Sequence, residues 1–150
     1  MKVMKNIKTP IYIISVLMLM LGLACDGGDA EPSLQELAFE KLSGSWDISQ
    51  GGGIMIDGQD GSLNFQGFSL SFTDGGYNTT NAGELFSALG TWSWVDEEAQ
   101  LIDLDDGKRL TIISLTETEL VFSFQFSGQG GQANHGESIA GNYVVTVNQP

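Results

Sequence analysis

The feature that most constrains the fold is a set of short segments in which apolar and polar residues alternate. In "FSLSFTDGG", Phe68, Leu70 and Phe72 alternate with small polar residues. In "ELVFSFQFSG", Phe122 and Phe124 continue the same pattern. Alternation with a period of two places the apolar side chains on one face of a strand. Strands of this kind are typical of antiparallel sheets that are covered on one side only.

Eight such segments follow one another, separated by short turn sequences such as "DGQDG", "DDGK" and "TETE". The other six are "SWDIS", "GIMIDG", "GTWSWVDEE", "QLIDL", "KRLTIISL" and "NYVVTVN". The connections leave no room for crossover helices, so consecutive strands pair antiparallel. About eight short strands in series indicate a sandwich or an up-and-down barrel. Because closure would hide the aromatic side chains and remove the sheet edges, we predict an all-β, antiparallel up-and-down meander that closes into a barrel.

One short helix is predicted before the strands, in "SLQELAFEKLSG". Ser33 followed by Glu36 fits a capping box, in which each residue satisfies a free amide of the first turn. Gly44 is placed to end the helix. The apolar stripe of this helix is predicted to consist of Leu34, Leu37, Ala38 and Leu42.

The N-terminal region has the pattern of an export signal. A stretch with three lysines precedes an apolar run from Ile11 to Leu23, as in a secretory signal peptide. The run is shorter than the roughly 20 residues of a stable membrane span. It ends in "LGLAC", which resembles a bacterial lipobox, with Ala24 just before Cys25.

This resemblance implies that residues 1–24 are a lipoprotein signal peptide and that residues 25–32 form a flexible tether acylated at Cys25. The alternative is an ordinary secreted protein in which Cys25 is a free thiol. The acids that follow, Asp26, Asp29 and Glu31, resemble the export signals of surface lipoproteins in Bacteroidetes, although acidic tethers also keep a linker extended. We expect a cell-envelope protein that is lipid-anchored to a bacterial membrane, most simply the outer membrane, and is periplasmic or surface-exposed.

The charge balance excludes one class of partner. Without residues 1–24, the chain keeps three basic side chains against nineteen acidic ones. Binding to nucleic acid needs clustered lysine and arginine, so we predict that the protein has no nucleic-acid partner. The acids are spread through the turns, which favours a role in solubility over the steering of a substrate.

A family resemblance rests on the order of several short motifs. The segment "LSGSWDI", with Gly44 and Trp46, resembles the G-x-W start of the first strand in lipocalins. The segments "LGTWSWVDEEAQLIDL" and "LTIISLTETELVFSF" are similar to small lipocalin-like lipoproteins of Bacteroidetes. The resemblance covers residues 41–148, in a chain shorter than classical lipocalins. It implies that residues 33–150 form a lipocalin-like barrel, in which Trp46 packs across the closed end beside the helix.

The sequence offers little support for catalysis. The one histidine, His135, lies in the glycine-rich segment "GQGGQANHGES", with Ser127 and Ser138 nearby. A catalytic base needs an orienting partner and a shielded position, which a segment of this composition does not supply. We therefore predict that the protein is not an enzyme.

Metal and cofactor sites are not predicted either. "DLDDG", with Asp103, Asp105 and Asp106, lacks the register of a calcium loop. "DGQDGS", with Asp57 and Asp60, is composed like a tight Asp–Gly turn. We interpret both segments as turns and expect no resident metal or cofactor.

The aromatic side chains that would point into the barrel are the candidate ligand-binding residues. They are Phe68, Phe72, Trp92, Trp94, Phe122 and Phe124. A barrel of about eight strands is wide enough either to be filled by its own side chains or to hold one small ligand. One hypothesis is therefore a membrane-anchored lipoprotein that binds a small apolar or amphipathic ligand in the barrel mouth. The alternative is a filled barrel that contacts another envelope protein or a glycan through its loops.

Overall fold

The computed structural model describes residues 31–128 and 139–150, in which one helix precedes ten strands. The helix is α1 (Leu34–Leu42). The strands are β1 (Gly44–Asp47), β2 (Gly53–Ile56), β3 (Gln59–Asp60), β4 (Ser69–Thr73), β5 (Gly76–Thr80), β6 (Leu89–Trp94), β7 (Leu101–Leu104), β8 (Arg109–Leu115), β9 (Glu119–Phe126) and β10 (Gly141–Asn148). A short 3₁₀ helix, Ser62–Phe65, lies between β3 and β4. Within these described ranges, no helix has the length and apolar character needed to cross a membrane.

The strands close into a barrel. The sheet order is β1-β4-β5-β6-β7-β8-β9-β10, and β10 returns to β1 through the pairing of Asp47 with Asn148. β2 pairs further along the same edge of β10, from Gly53 opposite Thr146 to Ile56 opposite Tyr143. Because β1 and β2 share one position around the barrel, it has eight strand positions. The predicted antiparallel up-and-down barrel behind one helix is confirmed.

A glycine-dependent break separates β1 from β2. Gln50 and Gly51 have positive φ values of 57° and 96°. At Gly52, an added Cβ would lie 2.6 Å from the backbone oxygen of Thr146 and 2.9 Å from the Cα of Ile48. Any larger residue at this position would meet backbone on both sides, so the shift of pairing from β4 to β10 depends on Gly52.

Alternate residues of the strands fill the interior, as predicted. β9 buries Leu120, Phe122, Phe124 and Phe126, and its other positions are less buried. In β10, Tyr143 stacks on Phe124 with ring centroids 5.1 Å apart. Close packing of these rings supplies the main stabilisation of the domain, because burial of apolar surface is the dominant favourable contribution to folding.

The helix begins with the predicted capping box. The Ser33 hydroxyl accepts from the Glu36 N–H at 3.2 Å, and the Glu36 carboxylate accepts from the Ser33 N–H at 2.7 Å. The helix ends at Leu42, where the Ser43 N–H donates to the Phe39 carbonyl at 2.8 Å. Gly44, with a φ of 128°, starts β1 just beyond this end.

The predicted apolar stripe of α1 is wrong in part. Leu34 and Leu37 are 59% and 41% exposed. The face turned to the barrel consists instead of Gln35, Ala38, Phe39 and Leu42. These positions have the i, i+3, i+4, i+7 spacing of one helical face. The reason for the difference is Gln35, a polar residue on the buried face, whose side-chain amide donates to the Asp96 carbonyl at 2.8 Å.

The connections divide between two ends of the barrel. The end next to α1, here called the helix end, carries the turns at 73–76, 95–100 and 116–118. The other end carries the β2–β3 turn, the 81–88 loop and the 105–108 turn, and is here called the plugged end. Trp46 is buried beside the helix, where its Nε1 donates to the Leu42 carbonyl at 2.8 Å.

Candidate functional site

Four of the six predicted ligand-binding residues lie in a closely packed interior. Phe68, Phe72, Phe122 and Phe124 are each no more than 5% exposed. The rings of Phe122 and Phe124 are stacked, with centroids 6.2 Å apart. Phe68 and Phe72 pack against the rings of Phe86 and Trp92, so these side chains face other rings and not an open space.

The 81–88 loop closes the barrel mouth at the plugged end. Its Phe86 inserts among the interior rings, with ring centroids 4.9 Å from Phe124, 6.1 Å from Phe68 and 6.3 Å from Phe122. The neighbouring Leu85 is completely buried. The protein's own side chains thus occupy the position where a ligand in the barrel mouth would sit. No local pattern in the sequence indicates this insertion.

The other two predicted residues, Trp92 and Trp94, lie at the helix end. Their rings are perpendicular, with centroids 5.1 Å apart, and the Phe39 ring of α1 lies 5.9 Å from Trp92. Trp92 is nearly buried, and its Nε1 donates to the Thr73 carbonyl at 2.9 Å. Trp94 keeps part of its surface in solvent.

These rings form the floor of a surface groove of about 500 Å³ that is open to solvent. The groove lies between the start of α1, the β4–β5 turn and β6. Its lining consists of Ser33, Gln35, Glu36, Phe39, Asp74, Gly75, Trp92, Ser93 and Trp94. Pockets for small molecules typically have this volume and combine aromatic walls with a few polar groups. The groove is therefore the candidate functional site, here called the aromatic groove.

Local structure holds the walls of the aromatic groove in place. The Gln35 amide ties the start of α1 to the carbonyl of Asp96 in the β6–β7 turn. The Asp96 carboxylate accepts from the backbone N–H groups of Gln100 and Leu101, at 3.0 and 2.7 Å, and so fixes that turn. On the opposite wall, Gly75 has a φ of 68°, a conformation that favours glycine.

The aromatic groove is acidic. Glu36 and Asp74 line it, and none of the lining residues that the structure describes is basic. Hydrogen bonds from the backbone and the side chain of Ser33 hold the pKa of the Glu36 carboxyl below its usual value. Glu36 is therefore ionised at neutral pH, and the groove carries negative charge beside its aromatic rings.

Basic residues of β8 and the turn before it are paired at the plugged end. Arg109 binds Asp103 through two hydrogen bonds, of 2.7 and 2.8 Å. Lys108 lies 2.7 Å from the Asp106 carboxylate. The segment "DLDDG" forms the predicted tight turn here, with Gly107 at a φ of 85°. In residues 31–128 and 139–150, no three His, Cys, Asp or Glu side chains are grouped to hold a metal ion.

Several predicted features lie outside the described residues. These are the signal peptide, most of the tether with Cys25, and the glycine-rich segment with His135 and Ser138. Gln35, Phe39 and Asp74 complete the aromatic groove, and none of them was among the predicted ligand-binding residues. The one signal for Phe39 was its helical spacing from Gln35 and Leu42.

Comparisons of the chain with models of known protein families, with curated proteins and with solved structures gave no match.

Proposed function

We propose that this protein is a lipid-anchored, non-enzymatic binding protein of a bacterial cell envelope. In this proposal the lipocalin-like barrel is a filled scaffold, and a small ligand binds in the aromatic groove at the helix end. The proposal thus keeps the binding role expected from the sequence and moves the ligand from the barrel mouth to the outside of the barrel.

One observation carries the proposal: aromatic surface is buried at one end of the barrel and left open at the other. Phe86 packs against three phenylalanines in the mouth, so a ligand there would have to displace it. Trp94 keeps exposed surface next to Trp92 and Phe39 in a concave region. Large aromatic side chains that remain partly exposed in a concave region are typical of binding sites.

The location of the ligand is tested by a matched pair of variants, Trp94→Leu and Phe86→Leu. Each replaces one aromatic ring with leucine, the first in the aromatic groove and the second in the mouth. The full chain is produced in a bacterium and purified in a nonionic detergent. Native mass spectrometry detects a bound molecule, and organic extraction of a second sample releases that molecule for identification. We expect a small molecule to copurify with the wild-type chain and with Phe86→Leu, and to be lost from Trp94→Leu.

Two results would contradict the location. Retention in Trp94→Leu together with loss from Phe86→Leu would place the ligand in the barrel mouth. If no small molecule accompanied any of the three chains, binding of a small ligand would be rejected. The filled barrel would then favour contact with an envelope protein or a glycan.

The anchor is tested separately with Cys25→Ser. Lipoprotein acylation attaches two or more acyl chains. Such a modification at Cys25 would hold the mature chain in a membrane durably, whereas a single chain would hold it only weakly. We expect the wild-type chain to enter the detergent-rich phase on phase separation, with an intact mass that lacks residues 1–24. The Cys25→Ser chain should not gain the mass of the acyl groups. An unmodified Cys25 in the membrane-associated chain would refute the anchor.

A further inference from the structure

We propose that the ligand of the aromatic groove is a small organic cation, of the class that carries a quaternary ammonium group. This inference rests on the proposed function, because it takes the aromatic groove as the binding site. It adds the chemical class of the ligand, for which the groove has two independent features: its aromatic rings and its charge.

The aromatic rings supply the first feature. An ammonium group is attracted to the negative face of an aromatic ring when it lies within about 6 Å of the ring centroid, and tryptophan is the best of the three ring types. The groove brings Trp92, Trp94 and Phe39 together, with neighbouring centroids 5.1 and 5.9 Å apart. The groove therefore presents a cation with a cluster of rings, of which Trp94 keeps exposed surface.

The charge of the groove supplies the second feature. Glu36 and Asp74 line it, and the β6–β7 turn that Gln35 holds against α1 adds the acids Asp96, Glu97 and Glu98. Since charges in a concave site focus the local field, this arrangement concentrates cations and repels anions.

The described basic side chains do not offset this field. Arg109 is paired with Asp103, and Lys108 with Asp106, at the plugged end. Lys41 lies in the last turn of α1 and not among the groove residues. Among the described residues, the two acids that line the groove therefore have no basic partner.

The start of α1 does not turn the groove into an anion site. The N-terminus of a helix attracts negative charge through its free N–H groups and its dipole. Here the Glu36 carboxylate already occupies that position and accepts the Ser33 N–H, while the Ser33 hydroxyl accepts the Glu36 N–H. The Glu36 carboxylate therefore already occupies the anion position at the start of the helix, and it would repel an external anion.

The inference is tested by titrating the full chain, in a nonionic polyoxyethylene detergent, with three probes. The probes are choline, its uncharged isostere in which carbon replaces nitrogen, and maltose as a neutral sugar. Binding is followed by the NMR signals of the tryptophan indole N–H groups. Trp46 is buried and is not one of the groove residues, so its signal is the internal reference.

We expect choline to shift the signals of Trp94 and Trp92 and to leave that of Trp46 unchanged. The isostere should bind at least about tenfold more weakly, because it keeps the shape and loses the charge. Added salt should weaken choline binding, since the acids are exposed.

A matched pair of double variants separates groove charge from overall charge. Glu36→Gln with Asp74→Asn removes two charges from the groove. Glutamine is compatible with a capping box and asparagine with an Asn–Gly turn, so the walls are kept. Asp57→Asn with Asp60→Asn removes two charges at the plugged end. We expect the first pair to weaken choline binding by about tenfold or more, and the second to leave it within about twofold.

The outcomes distinguish failure of this inference from failure of the proposed function. Equal binding of choline and its isostere, or a Trp94 shift with maltose alone, would overturn the cation and leave the groove as a binding site. If no probe moved the Trp94 signal and no molecule copurified with the chain, both the cationic ligand and the groove as a binding site would be rejected. Vesicles of phosphatidylcholine form a further arm: a Trp94 shift with vesicles and not with free choline would identify a lipid headgroup as the source of the same cation.

Discussion

The two ends of the barrel are both covered by segments outside the barrel strands, and they are covered differently. At the plugged end, Leu85 and Phe86 of the 81–88 loop are buried among the interior rings. At the helix end, α1 buries Leu42 completely but leaves Trp94 partly in solvent. One end is closed by apolar packing, whereas the other keeps an open groove with aromatic and acidic walls.

This difference separates two uses of the same residue type. Burying a large apolar side chain stabilises a fold by roughly 1.5 to 3 kcal/mol relative to leaving it exposed. The buried aromatic residues of the plugged end contribute this stabilisation in full. Trp94 contributes less, because part of its surface remains in solvent. In the proposed function, the surface that Trp94 leaves open in this concave, acidic region contacts the ligand.

The largest expected effect tests the packing at the plugged end. Phe86→Ala should lower the free energy of unfolding by about 4 kcal/mol, because it removes a buried ring and leaves a cavity among three phenylalanines. The effect is measured by urea unfolding of the full chain. Leu89→Ala is the control: Leu89 is 76% exposed, and its removal should change stability by no more than about 0.5 kcal/mol. A loss below about 1 kcal/mol for Phe86→Ala would show that Phe86 is not closely packed at the plugged end.

The next effect tests the closure on which both ends depend. Gly52→Ala should cost about 3 kcal/mol, since the new Cβ meets the backbone of Thr146 and Ile48 and neither can move alone. Gly58→Ala is a suitable comparison, because Gly58 has a φ of 83° and open space around its Cα. It should lose only about 1 kcal/mol to backbone strain. Equal losses in the two variants would argue against a tight crossing at Gly52.

The sequence predicted the parts of the fold that local pattern determines. The alternation in "FSLSFTDGG" and "ELVFSFQFSG" identified β4 and β9 with their buried faces, and Ser33 with Glu36 identified the start of α1. The strand β5 was missed because its inward residues are Tyr77 and Thr79, and a buried threonine weakens the alternation. The Thr79 hydroxyl is satisfied by the Ser87 carbonyl at 3.0 Å, a contact that no local pattern indicates.

The predicted strand number agreed with the structure through two differences that offset each other. The eight predicted strands included β1 and β2 as two positions and did not include β5. In the barrel, β1 and β2 share one position, and β5 fills the other. β1 and β2 share a position because both pair with β10. This pairing is a tertiary contact, which the local sequence pattern does not indicate.

The candidate site was less predictable than the fold. Trp92 and Trp94 were identified as a pair, but their groove is formed where α1, the β4–β5 turn and β6 meet. Gln35 and Phe39 line the groove because they share one face of α1. That face is turned toward the barrel, where the Gln35 amide binds the Asp96 carbonyl. Periodicity assigns apolar residues to the buried face, and so it placed Leu34 and Leu37 there incorrectly.

A smaller effect tests how firmly α1 holds the groove wall. Ser33→Ala removes the hydroxyl of the capping box and should lower the free energy of unfolding by about 1 kcal/mol. Ser33→Asn keeps a capping side chain and should stay close to the wild-type value in the same urea titration. The exposed surface of Trp94 should then respond to Ser33→Ala and not to Ser33→Asn, as measured by quenching of tryptophan fluorescence. Equal stability of the two variants would mean that the cap does not hold the helix.

The smallest expected effect at neutral pH is that of Tyr77→Phe, which tests how the acids of the plugged end act on a buried tyrosine. At the plugged end, Asp105 lies 3.5 Å from the Tyr77 hydroxyl. Burial, together with the negative charges of Asp106 and Asp105, raises the pKa of Tyr77 to about 12, from an ordinary value of 10.0. The folded protein therefore holds this proton more tightly than the unfolded chain does. Stability from this group is complete below pH 10 and is lost as the pH rises from 10 to about 12.

Tyr77→Phe removes this titration and isolates its contribution. The difference in urea midpoint between the wild-type chain and Tyr77→Phe should be constant up to pH 9 and should move in favour of the variant by pH 11. The comparison within the pair cancels the titration of all other groups, because the two chains share them. A difference independent of pH would mean that Tyr77 is solvated in the folded protein. The negative charges of Asp105 and Asp106 would then have no measurable effect on Tyr77.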